Sequence, residues 1–134
     1  MCEEVQFTPP WWDETASRKH RRTGARSEQM WDSSILTSQT KDAPAAYDPG
    51  IQQGEIRLME MECVAQGIAG APGIIELPRK LPHVRKFCRA LDRIIGASDG
   101  KKTNRILVVY EQIGSVHGYP VTLEYLKSKG AKVR

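Results

Sequence analysis

The chain has 134 residues, room for one domain. It carries 20 Lys and Arg against 16 Asp and Glu, a formal net charge of +4, and its pI of about 9.1 favours anionic partners such as nucleic acid. Cys2, Cys63 and Cys88 are too scattered for a disulfide framework or a zinc site, and no uncharged apolar stretch approaches the roughly 18 residues of a membrane span.

Reduced thiols fit a nuclear or cytoplasmic setting. The opening Met-Cys-Glu-Glu is acidic and unlike a secretory or mitochondrial leader. No membrane partner is therefore expected. Mean hydropathy is −0.49, on the polar side for a compact globule.

Residues 1–50 show no sustained periodicity and are broken by Pro9, Pro10, Pro44 and Pro49. They are expected to form a flexible, disordered basic and aromatic arm. A basic run, Arg18, Lys19, His20, Arg21 and Arg22, with Arg26 nearby, suits weak electrostatic contact with phosphates. Trp11, Trp12 and Trp31 flank it and either stack on bases or dock on the chain's own domain. The run also fits a nuclear-targeting patch.

Residues 51–134 are expected to form a small α/β unit. Ile56, Met59, Cys63 and Ile68 recur at helical spacing, with Glu55, Glu60 and Glu62 on the wet side. Gly54, Gly67 and Gly70 limit this helix. Over 82–96, Val84, Phe87, Cys88, Leu91, Ile94 and Ile95 follow the i, i+3, i+4, i+7 rule and predict a second helix. Pro82 suits its first turn and Gly96 its stop. Cys88 is expected to pack as a small apolar side chain.

Residues 97–104 read as a polar surface loop. Ile106-Leu107-Val108-Val109-Tyr110 reads as a strand buried on both faces, hence one of a parallel sheet under helices. Gly114 to Gly118 read as a loop holding His117. Pro120 and Thr122 open a helix with Leu123 and Leu126, closed by Lys127, Lys129 and Gly130. Residues 131–134 return to an extended pattern. The sum is a partial parallel sheet with flanking helices.

The chain carries no complete catalytic site. The stretch from Gly96 to Thr103 imitates a phosphate loop, but three residues separate its glycines where four are needed, and Lys102 stands where a hydroxyl belongs. His20, His83 and His117 lack metal-ligand neighbours, and Asp92, Asp99 and Glu111 form no acid-base pair.

From Leu77 onward the order of elements resembles the opening of the second RecA-like lobe of superfamily 2 helicases of the Snf2 type. Leu81-Pro82-His83-Val84 would open its first helix. Leu107 to Gln112 match its apolar-apolar-apolar-aromatic-x-Gln strand, and Leu123 to Val133 its next helix and strand. The resemblance implies an incomplete RecA-like lobe. Glu111 and Gln112 would lie in the fourth helicase motif, which shapes the nucleic-acid groove. It also implies a fragment or degenerate copy with no independent ATPase activity and no cofactor, ATP entering only as part of a larger helicase. An unpaired parallel edge would make it marginally stable or self-associating. Leu107 to Val133 also resembles the helical N-terminal module of transcription elongation factor TFIIS. That resemblance implies a protein-interaction module of a transcription or chromatin complex.

Overall fold

The computed structural model describes residues 6–17, 46–48, 50–98 and 101–130. In chain order these form β1 (Trp11–Trp12), α1 (Glu14–Ser17), β2 (Ala46–Tyr47), α2 (Gln53–Ala69), β3 (Ile74–Glu76) and β4 (Val84–Ala90). There follow β5 (Gly96–Ser98), β6 (Lys101–Thr103), β7 (Arg105–Glu111), β8 (Ser115–Val121) and α3 (Leu123–Ser128). The class is α/β: a mixed sheet in the order β1-β8-β7-β4-β3 lies between α2 and α3, and β2, β5 and β6 form a second small sheet.

Ile106 to Tyr110 do form a strand buried on both faces. Its sheet is not the parallel one expected. β3–β4, β4–β7 and β7–β8 are antiparallel, and among the described residues the parallel pair is β1–β8. The cause lies at residues 112–114, a tight turn rather than a crossover. Gly114 closes it at φ +99, and a Cβ there would stand 2.7 Å from the Pro9 carbonyl oxygen. His117 consequently lies in a strand and not in a loop. Pro120 likewise belongs to β8 and does not open a helix. It sits beyond the part of β8 that β1 reaches, where its missing N–H costs no ladder bond.

The larger correction concerns residues 82–96. They form β4 and a loop, not a helix. Two covered faces are the reason. Arg85, Phe87 and Arg89 point toward α2, while Val84, Lys86 and Cys88 point toward α3, so neighbours Phe87 and Cys88 are both buried. Burial of adjacent residues erases the period of two and mimics a helical stripe. Arg85 adds to the disguise. Its guanidinium lies 4.8 Å from the centre of the Phe87 ring, while Nε and Nη2 donate to Glu76 at 3.0 and 2.8 Å. Beyond the strand the helical pattern fails outright: Ile95 is buried but Ile94 is 46% exposed. The polar stretch that follows is also a hairpin, β5–β6, and not an irregular loop.

Helix α2 forms where expected. Ile56, Cys63 and Val64 bury its inner side. Gly54 and Gly67 lie inside it, and Gly70 ends it at φ +70 with its N–H turned back onto Gln66 and Gly67 carbonyls. Gly67 is there for packing. A Cβ at this position would lie 2.3 Å from Phe87 Cδ1, so the bare backbone lets the ring lie flat against the helix. Thr122 caps α3 by accepting the Tyr125 N–H at 3.1 Å. Leu126 closes a second core with Leu77, Cys88, Leu107 and Val121. The edges of the five-stranded sheet, β1 and β3, are two and three residues long, which leaves little backbone to template another strand.

Glu60, expected on the wet side of α2, is 0% exposed. Its carboxylate accepts Tyr47 Oη–H at 2.5 Å and Trp12 Nε1–H at 2.8 Å, and the backbone N–H of Gly118 completes its shell. Gly118 makes the room: a Cβ there would stand 3.2 Å from Glu60 Cδ and 2.8 Å from the Leu107 carbonyl oxygen. The described residues before position 50 are thus built into the same unit. Trp12 and Tyr47 meet Glu60, Trp11 Nε1 donates to the Ile113 carbonyl at 3.1 Å, and Tyr110 Oη donates to Thr8 O at 2.6 Å.

Two predictions follow from these contacts. Gly67→Ala should destabilise by about 1–3 kcal/mol through overpacking against Phe87. Gly54→Ala, with nothing within 4 Å of the added methyl, should stabilise by about 0.5–1 kcal/mol. Urea denaturation of the two variants checks both, and equal effects would refute the packing account. The second concerns Glu60. Burial raises its pKa above the ordinary 4.5, against the pull of its three donors. A carboxyl raised on folding stabilises the native state below about its unfolded value, and that contribution is lost as pH rises through the folded value. Relative to Glu60→Gln, the wild-type chain should therefore lose stability as pH rises above about 4.5. A difference between the two chains that stays constant with pH would show that Glu60 does not titrate on folding.

Candidate anion-binding cleft

The segment 77–81, Leu-Pro-Arg-Lys-Leu, leaves the sheet between β3 and β4. Leu77 is still held to it, its N–H donating to the Lys86 carbonyl at 2.9 Å. At Pro78 the chain leaves the ladder and swings out over the α3 face. The end of α3 approaches from the other side; a Cβ on Gly130 would meet Pro78 Cγ at 3.5 Å. Between the two lies a cleft of about 210 Å³.

Its floor is apolar. Leu77 and Leu107 are buried there, and Val84, Tyr125 and the exposed Leu81 line its sides. Its four ionisable groups other than Tyr125 are all cations: Arg79, Lys80, Lys86 and Lys129. No carboxylate among the described residues lines it. The nearest in sequence, Glu76, is drawn away by Arg85. That bidentate pair, first, and Arg79, second, hold the Glu76 carboxyl below the usual range. Arg79 Nε remains 3.3 Å from Glu76 and its guanidinium 6.0 Å from the Phe7 ring centre. Lys129 Nζ lies 5.5 Å from the Tyr125 ring centre. Lys80 and Lys86 form no ion pair among the described residues. The Tyr125 hydroxyl is hydrogen-bonded to Tyr119, whose pKa is raised, first by burial and then by that bond.

Three lysines with no acid partner among the described residues, over an apolar floor, can hold an anion that carries an apolar body. The remaining reactive groups offer no rival. Burial pushes the Cys63 thiol up to about 12 and the Cys88 thiol to about 11, so both stay protonated and pack as apolar side chains. Among the described residues no group of three His, Cys, Asp or Glu could hold a metal ion. No helix among them is long and apolar enough to cross a membrane.

The site residues expected from sequence lie elsewhere. Arg18, Lys19, Arg21, Arg22 and Arg26 fall outside the described residues, as do His20 and Trp31. Glu111 ends β7 and accepts Ser115 Oγ–H at 3.3 Å. Gln112 is exposed in the next turn, its N–H on the His83 carbonyl and its carbonyl accepting the Thr8 N–H. Neither lines the cleft. The β8 residue His117 has its Nδ1 buried. The cleft's cations come from three separate segments, which only the β3–β4–α3 packing unites. Their sequence signal was a set of ordinary-looking surface lysines.

No family model, curated protein or solved structure matches the chain. The likeness of residues 77–134 to a helicase lobe therefore stays a resemblance of sequence.

Lys86 gives this site its internal test. It is half-buried beside three other cations, so its charge does nothing for the fold that a methylene chain would not. Lys86→Met should leave stability unchanged or raise it by up to about 1 kcal/mol. Chemical denaturation at low salt reads this directly, and a loss of more than that would make Lys86 a structural residue.

Proposed function

We propose that the protein is a non-enzymatic binding module whose α3-side cleft takes an amphiphilic anion. One observation carries the reading: every side chain of the cleft that bears charge at neutral pH is cationic, above a floor of Leu77, Val84 and Leu107. The apolar part of such a ligand would leave water against the leucines. Its phosphate or carboxylate head would meet Lys80, Lys86 and Lys129 at the mouth, with Arg79 beside them. The cleft is small, so the buried part of the ligand is short.

A second reading keeps nucleic acid as the anion, bound weakly and electrostatically without ATPase activity. The formal charge of +4 and the same cations favour it. Tyr125 would then offer a ring for stacking. The two readings separate on the apolar requirement. A single-stranded oligonucleotide binds with a steep salt dependence and needs no alkyl chain, whereas an amphiphile needs both parts.

Calorimetric titration with octyl phosphate, inorganic phosphate and octanol is the test. Octyl phosphate should bind at least about tenfold more tightly than either fragment, and Lys86→Glu with Lys129→Glu should cost it about a further tenfold. Equal affinity for inorganic phosphate and octyl phosphate would remove the apolar half of the proposal. An oligonucleotide that outcompetes octyl phosphate would favour the second reading.

A further inference from the structure

The cleft opens toward one end of the sheet, and that end carries an exposed apolar apex. Val84 pairs with Glu111, so the start of β4 and the β7–β8 turn lie side by side. The Gln112 N–H donates to the His83 carbonyl at 2.9 Å and joins them. β1 adds the third piece: Trp11 N–H and Nε1–H donate to the Gly114 and Ile113 carbonyls at 2.8 and 3.1 Å. Three large apolar side chains face water here, Ile113 at 66%, Leu81 at 53% and Trp11 at 47% exposed. Leu81 belongs to both the apex and the cleft.

Residues 79–83 bring Arg79 and Lys80 to this end, while residues 6–12 and 112–114 contain no acid. Glu111, next to the turn, is engaged by Ser115. The backbone of the apex is also fastened, by hydrogen bonds at Thr8, Trp11, Gln112 and Gly114, so its apolar side chains stand on a rigid tip. A free amphiphile needs the cleft alone. It gives no reason for an indole, an isoleucine and a leucine to be held outside it.

We propose that the apex seats this protein on an anionic lipid bilayer, the cleft then receiving a lipid from that surface. This rests on the amphiphile reading above and names its source. Trp11 presents an apolar ring with its N–H already satisfied, the chemistry of a side chain at the headgroup level. Ile113 and Leu81 enter the acyl boundary. Arg79 and Lys80 stand just behind them, at the level of the phosphates, where each basic residue near an anionic surface strengthens attachment about fivefold. The lack of a spanning helix among the described residues is compatible with this, since the attachment is to the surface.

The experiment is co-sedimentation of the full chain with phosphatidylcholine vesicles, with and without phosphatidylglycerol, beside the octyl phosphate titration. Binding to the anionic vesicles, at least about tenfold above the neutral ones, is expected. Ile113→Asn, on a side chain outside the cleft, should weaken vesicle binding about fivefold or more and leave octyl phosphate affinity unchanged. Ile113→Trp should retain vesicle binding. If octyl phosphate binds but no vesicle does, the bilayer is overturned as the source and the cleft reading stands. If neither binds, both fall. Vesicle binding indifferent to Ile113→Asn would also overturn the apex, leaving charge alone as the cause.

Discussion

A carboxylate without access to water sits at the centre of this fold. Removing an ionised carboxylate from solvent costs several kcal/mol even after relaxation. Glu60 is tolerated because its surroundings are built for it: a phenol, an indole and a backbone amide converge on two oxygens, and a glycine leaves the space. Those partners belong to β2, β1 and β8, while Glu60 itself belongs to α2. β1 and β2 are each two residues long and have almost no ladder of their own. Their positions are specified by what they give to Glu60. Replacing the carboxyl with an apolar group would orphan three donors, at about 1–3 kcal/mol each, and would release the two segments that the sheet holds least.

That constraint reaches the surface. Trp12 turns inward to Glu60, so Trp11, its neighbour on a strand, must turn outward. The outward ring is then pinned to the Ile113 carbonyl. Core and apex are two sides of the same dipeptide. The register Trp11↔Ser115 and Trp12↔Val116 couples them, because a slip by one residue would exchange the two indoles.

Helix α2 and helix α3 with its Thr122 cap are legible from spacing and capping, and the strand at 106–110, buried on both faces, from its β-branched run. The sequence misleads where burial on both faces imitates a helical stripe or where a polar residue is interior. Phe87 and Cys88 imitate a helical stripe because α2 and α3 bury successive residues of one strand. Glu60 was placed on the wet side because a glutamate on a helix ordinarily is, and its three donors are at least 13 residues away in sequence. A strand buried on both faces points to a parallel sheet under helices; here α2 and α3 cover both faces of a largely antiparallel one, and the tight turn at Gly114 joins β7 to β8 as a hairpin.

The cleft was illegible for a related reason. Lys86 and Lys129 look like surface lysines because each, taken singly, is one. The pleat of β3 keeps the nearest acid off their face: Glu76 pairs with Phe87, so its carboxylate lies on the α2 side, where Arg85 takes both of its oxygens. Arg85 in turn is held over Phe87, whose ring lies where Gly67 permits. A chain of contacts thus runs from a glycine in α2, through an aromatic ring and an arginine, to a carboxylate held on the face opposite the cleft. An arginine is needed at its centre: the planar fork matches both carboxylate oxygens and stacks on the ring at once, and a lysine ammonium can do neither.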